Sequence, residues 1–169
     1  MQTAPIQTGI QSDPATFLRL VNHPVKFRLF LLRKLPSAFF SGVRVVYADE
    51  KTCKVKVPYK WFSQNPFRST YFACLSMAAE MSTGVLAMAH LYKSNPVVSM
   101  LVTKVEGDFI KKATANTYFV CDAGEKIKHT IAECIKTNTP QAVRIETTGS
   151  NNDGEMIARF FVTWSFKAK

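Results

Sequence analysis

A single carboxylate interrupts the most apolar stretch of this 169-residue chain. Between Tyr71 and Leu91 there is no proline and one acid, Glu80, set among Phe72, Leu75, Met77, Met81, Val85, Leu86, Met88 and many small residues. An ionised carboxylate in apolar surroundings costs several kcal/mol unless it is paired, hydrogen-bonded or opened to a cleft. Burial also raises its pKa, which makes it a stronger base wherever enough remains ionised. On residue type alone the plainer account is structural: Glu80 meets an Arg, a Lys or a solvent-filled gap. The other reactive side chains lack partners. Cys74 has no paired His, and His23 and His129 stand in polar contexts. His90 lies ten residues beyond Glu80, near the predicted helix end, where a cation suits the dipole. No nucleotide-binding glycine loop and no metal-ligand spacing occurs, so no metal is expected.

Around Glu80, Ser69 or Thr70 supplies a hydroxyl to cap a helix over Tyr71–Leu91. Apolar residues on every side predict that this helix is enclosed. A run of about 20 apolar residues can also span a bilayer. Glu80 near its middle, and its small and hydroxyl residues, favour a buried helix instead. Upstream, Ser12-Asp13-Pro14 opens a helix over Ala15–Val21, and Pro24 restarts one that runs to about Leu35. Phe27, Phe30, Leu31 and Leu35 share a face of the second helix, and Lys26, Arg28, Arg33 and Lys34 make much of the rest basic. Val43, Val45 and Tyr47, answered by Cys53, Val55 and Val57, alternate with Arg44, Lys54 and Lys56 about a polar turn. That period of two predicts a β-hairpin.

After Asn95-Pro96, strand composition returns over Val97–Val105 and Phe109–Lys111, one long strand bent or interrupted near Gly107, and over Thr114–Cys121. Ala142–Thr148 and Glu155–Lys167 flank a turn at Ser150–Gly154, and Glu125–Thr137 reads as an amphipathic helix. An antiparallel sheet curled around one central helix satisfies an all-round apolar helix and half-polar strands together, which makes the fold class α+β. The expected organisation is one domain over 1–169: a loose lead-in over 1–11, a helical segment over 12–35 and a core over 42–167.

Hydrophobic residues at 47% exclude a disordered chain, and a net charge of +10 attracts polyanions: nucleic acid, an anionic membrane or a phosphorylated ligand. Nucleic acid ranks last, because the lysines are scattered and no aromatic-basic recognition motif is present. Cys53, Cys74, Cys121 and Cys134 form no CxxC pair, and Met1–Gln11 shows no signal peptide. Reduced core thiols in a cytoplasmic protein are therefore expected.

The layout from Lys26 to Lys167 resembles the hotdog fold of acyl-CoA thioesterases. Phenylacetate-type members carry an Asn, a Gly three residues later, a His-Gly-Gly at the helix start, and an Asp or Glu nine residues after that His. Here Asn65 stands in the Asn place, Arg68 in that of the first Gly, and Tyr71 in that of the His. Phe72 and Ala73 stand for the two glycines and Glu80 for the catalytic acid. Met77-Ala78-Ala79-Glu80 is similar to the Leu-Ala-Glu-like text of an uncharacterised branch of the superfamily.

The resemblance implies a homodimer, with a tetramer as the alternative, and active sites at the interface. Glu80 of one protomer would face the start of the central helix of the other, as general base or as nucleophile. Asn65 would hold the water or the carboxylate, and the Phe72 N–H would stabilise the thioester oxyanion. Arg68, Thr70, Tyr71 and Ala73 would bind substrate, with coenzyme A entering as part of the substrate and no separate cofactor. The departures from the pattern favour a second reading, a non-catalytic module binding acyl-CoA or another amphipathic acid. Phe72 and Ala73 carry Cβ atoms where glycine lets the backbone approach a thioester, Tyr71 is a poor acid–base group near neutral pH, and Arg68 adds a charge that could pair with Glu80.

Overall fold

The computed structural model describes residues 11–169. The expected lead-in falls almost wholly outside that range. Its last residue, Gln11, accepts from the Asn95 backbone N–H at 2.9 Å.

Three helices precede the sheet: α1 (Pro14–Val21), α2 (Pro24–Lys34) and α3 (Pro36–Ser41). Each begins with proline in its first turn, where the missing N–H costs nothing. Asp13 caps α1 by accepting from Thr16 N–H, and His23, which the sequence left without a partner, caps α2 through Nδ1. The third helix was not anticipated, since six residues are too few to show a period.

Two strands, β1 (Arg44–Ala48) and β2 (Cys53–Val57), make the predicted hairpin. A bulge between Val45 and Tyr47 corrects its expected facing: Tyr47 turns outward opposite Lys54, and Ala48 goes inside instead. The central helix α4 spans Phe72–Leu91. It is followed by β3 (Val98–Phe109), β4 (Thr117–Cys121), helix α5 (Gly124–Thr137), β5 (Gln141–Ser150) and β6 (Met156–Ala168). All ladders are antiparallel, in the order β1-β2-β4-β5-β6-β3. Strand β3 runs unbroken through Gly107, and its irregularity sits earlier, between Val102 and Lys104. Gly107 instead makes room for the Phe160 ring, whose Cε1 would lie 2.6 Å from an added Cβ.

The sheet curls around α4. Inward residues Val55, Val57, Phe119, Ile145, Val162 and Phe166 are fully or almost fully buried against it. Helix α5 covers another flank with Ile127, Ile131 and Cys134, and α1 and α3 close a third with Phe17, Val21 and Ala38. Phe161, between the buried Phe160 and Val162 on β6, lies under the Arg144 guanidinium, which stands 3.5 Å from its ring centre. Among the described residues α4 is the one helix long and apolar enough to cross a bilayer. Here it is packed by strands and helices, as a core helix is. The enclosure is incomplete on one side. Phe72, Ala73, Ser76, Met77, Glu80 and Met88 remain partly or well exposed along one stripe of α4.

Candidate active site

The loop entering α4 is tied by Asn65. Its Oδ1 accepts from the backbone N–H of Phe67 at 3.0 Å and of Ser69 at 3.2 Å, and from the Ser69 hydroxyl at 3.2 Å. An asparagine is suited to such a turn because its short side chain reaches backbone two and four residues on. Its carbonyl oxygen is thus committed to the loop, while among the described residues nothing accepts from its amide nitrogen. Arg68 sits at φ of 57°, a left-handed conformation that glycine adopts most easily. Its side chain is exposed, forms no ion pair within 4.0 Å among the described residues, and does not reach Glu80.

The predicted caps are not where the sequence put them. Thr70 is buried, and its N–H and hydroxyl both donate to the Ala113 carbonyl, at 2.8 and 3.1 Å. Ser69 serves Asn65, and the N-cap is Tyr71, with no side-chain hydrogen bond to the helix. Consequently the N–H groups of Phe72 and Ala73 have no acceptor among the described residues. Phe72 stands at a groove of about 580 Å³ lined also by Asn65, Tyr71, Leu75, Phe109 and Ala113, among others, and Ala73 is not part of that lining. That volume lies within the range of roughly 300–1,000 Å³ usual for ligand sites. The Phe72 ring, 55% exposed, meets Tyr71 at 4.8 Å and Phe109 at 6.4 Å between ring centres. It forms a wall of the groove rather than filling the core. Lys111 and Lys112 stand at the rim, the former paired with Glu155.

Glu80 lies elsewhere on the same helix. Eight residues beyond Phe72 is about 12 Å along the axis at 1.5 Å per residue. The structure therefore brings Asn65, Thr70, Tyr71 and Phe72 together and leaves Arg68, Ala73 and Glu80 outside the lining of their groove. The Glu80 carboxylate folds over Gly84: a Cβ there would stand 3.1 Å from Glu80 Oε1 and 3.2 Å from Trp164 Cζ2. The Trp164 indole N–H donates to the Thr83 hydroxyl at 2.9 Å, and that hydroxyl donates to the Glu80 carbonyl at 2.9 Å. This relay fixes the turn carrying the acid. No hydrogen bond and no cation within 4.0 Å reaches the carboxylate itself among the described residues. Burial alone raises its pKa, by desolvating the charged form. Among the described residues no Arg or Lys meets Glu80; it is partly exposed on the open stripe of α4.

Gly84, Thr83 and Trp164 were not singled out from the sequence. The usable signal was a glycine one turn after the acid in a helix interior, where it costs about 1 kcal/mol relative to alanine. His90 is corrected: it is buried, its Nε2 lies 3.1 Å from the Glu50 carbonyl, and desolvation lowers its pKa, so it is not a dipole-capping cation. All four cysteines are buried and unpaired, and Cys74 lies 3.7 Å from the Ser41 hydroxyl. Among the described residues no group of three His, Cys, Asp or Glu side chains could hold a metal ion.

A family model described as a domain of unknown function, DUF4442, matches residues 26–166. Among solved structures, PA5026 of Pseudomonas aeruginosa, described as a protein of unknown function and probable thioesterase, is 16% identical with a TM-score of 0.70. That match covers 92% of this chain and 95% of the other. The thioesterase HI1161 of Haemophilus influenzae is 10% identical, TM-score 0.60, over 83% of this chain and 88% of its own. The PaaI protein of the E. coli phenylacetic acid degradation operon is 11% identical, TM-score 0.58, over 89% and 96%. The shared architecture is the hotdog fold. A search of curated protein sequences finds no match.

Proposed function

The chain belongs to the DUF4442 family, and from its hotdog fold and the setting of Glu80 we propose that it is an acyl-CoA thioesterase-like hydrolase acting at a dimer interface. The observation that carries this reading is a carboxylate with no partner among the described residues, its pKa raised by burial, on the open stripe of α4. The hotdog neighbours that are named thioesterases support the reaction class.

A second copy would complete the site. Strand β3 is an edge strand of twelve residues, with Val105 48% and Phe109 53% exposed on its inward face and Leu101 exposed on the other. A long edge strand with exposed apolar side chains invites pairing with another chain. Two-fold pairing there would apply Glu80 of one protomer to the groove of its partner, spanning the separation of about 12 Å that one helix imposes. At such a site the free N–H groups of Phe72 and Ala73 would stabilise the oxyanion of the thioester carbonyl. Glu80 would take a proton from water as the water oxygen bonds the carbonyl carbon; the C–S bond then breaks, the proton passes from Glu80 to the sulfur, and a free thiol and a carboxylic acid leave. Direct attack by the carboxylate, through an anhydride, is the other use of the same group. Coenzyme A enters only as the leaving thiol.

The exposed Phe72 ring beside Tyr71 favours a second reading, a groove that binds an acyl-CoA or amphipathic acid without turnover. A panel of short, long and aryl acyl-CoA thioesters separates the two, with free thiol as readout for wild type and Glu80→Gln. Turnover that the substitution removes supports the hydrolase. Saturable binding without thiol release would replace it with the binding module.

A further inference from the structure

Apart from the groove, a smaller cavity of about 250 Å³ is walled by Arg28, Arg44, Lys56 and Lys60, with Gly42 and Pro58 completing it. No carboxylate lines it, and none of the four cations joins an ion pair among the described residues. Arg44 stands opposite Lys56 in the β1–β2 register, a like-charge pairing that is destabilising unless something neutralises it. Arg28 is held in place. Its guanidinium donates to the carbonyls of Phe39 at 3.2 Å and Val43 at 3.4 Å, and lies 4.0 Å from the Phe39 ring centre. Partial burial, and then the charge of Arg44, lower its pKa. Lys60 lies over Gly42, where an added Cβ would stand 2.8 Å from Nζ and from Pro58 Cγ, and the φ of +80° there favours glycine.

We propose that this cavity, between the α3–β1 junction and the end of β2, binds a phosphate ester. The argument is one of charge and donor count. A carboxylate brings one charge and two oxygens, whereas a phosphate ester brings about −1.5 to −2 and three strong acceptor oxygens. Two guanidinium forks and two ammonium groups match the latter. Beside the cavity stands an exposed aromatic shelf: Phe40 lies 5.7 Å from Phe62, which lies 4.8 Å from Trp61, itself 75% exposed and next in sequence to Lys60. Such a shelf suits a stacked base or the interfacial zone of a membrane. Both a nucleotide and a lipid headgroup present such a phosphate, and the test separates them. The site does not depend on hydrolysis at Glu80.

The test titrates full-length protein with adenosine 3′,5′-bisphosphate, and with phosphatidylcholine vesicles with and without phosphatidic acid. Arg44→Gln/Lys60→Gln is compared with Lys128→Gln/Lys136→Gln, which removes the same charge from α5. The cavity pair should weaken binding by at least about tenfold, the loss of one or two charged hydrogen bonds. The α5 pair should change it less than about twofold at physiological salt. Nucleotide binding alone identifies a soluble ester, and binding only to phosphatidic acid vesicles identifies a headgroup. Absence of binding to either probe, or equal weakening by both variant pairs, overturns the proposal. Melting curves check the fold, and Lys60→Gln alone, on an exposed loop, repeats the comparison should the double variant not fold.

Discussion

Two inactive variants should make one active dimer if Glu80 works on its partner's groove. The first variant is Glu80→Gln, which keeps shape and removes the base; general-base loss is expected to cost about 10²–10⁴ in kcat. The second is Phe72→Pro. Phe72 is the first helical residue of α4, a position that accepts proline, and the substitution deletes one of the two free donors. Loss of such a donor costs about 10²–10³. Phe72→Ala, which keeps the N–H, is the control and should remain active. In the heterodimer one site combines both defects, and the other combines an intact Glu80 with an intact helix start. Co-expression with two affinity tags isolates that species, and its activity should be about half that of wild type, one good site of two. The separation of about 12 Å along α4 is what forbids the same rescue within a chain. A heterodimer no more active than either parent would refute the cross-protomer reasoning.

Three other perturbations bear on the site. The raised pKa of Glu80 means that, above its unfolded value of 4.5, the folded chain retains a proton the unfolded chain has released. Stability should therefore fall as pH rises from 4.5 through the folded value, and Glu80→Gln should flatten that limb in melting curves and be the more stable chain above it. Gly84→Ala gains up to about 1 kcal/mol of helix propensity. Its methyl would crowd Glu80 Oε1 and Trp164, so turnover should drop with the fold intact; unchanged kinetics would mean the carboxylate has no fixed place there. Asn65→Ala removes an acceptor of three hydrogen bonds and should cost roughly 1–3 kcal/mol in denaturant unfolding. Asn65→Asp keeps the acceptor and should recover most of it.

Much of the site was legible because its parts are local. The apolar run with one acid gives α4 and Glu80, and Asn65 stands at its entrance. The cap was misplaced because Ser69 and Thr70 are drawn to Asn65 and to the Ala113 carbonyl, and the latter is 43 residues away from Thr70. A hydroxyl's preference for a cap is worth little against a buried carbonyl that would otherwise lack a partner. The outward turn of Tyr47 was equally hidden, since a bulge of one residue reverses every side chain beyond it.

By itself the sequence determined most of the elements, though not α3, together with the inward and outward faces of most strands and the isolation of one carboxylate, because periodicity and composition act over a few neighbouring residues. Tertiary structure alone decided that Glu80 has no partner among the described residues, that Gly84 and Trp164 shape its surroundings, and that one stripe of α4 stays open beside the β3 edge of the sheet. It alone gathered Arg28, Arg44, Lys56 and Lys60 around a single cavity. Those outcomes depend on which distant strands and loops meet, and the charge or burial of a residue says nothing of that until the sheet has closed around its helix.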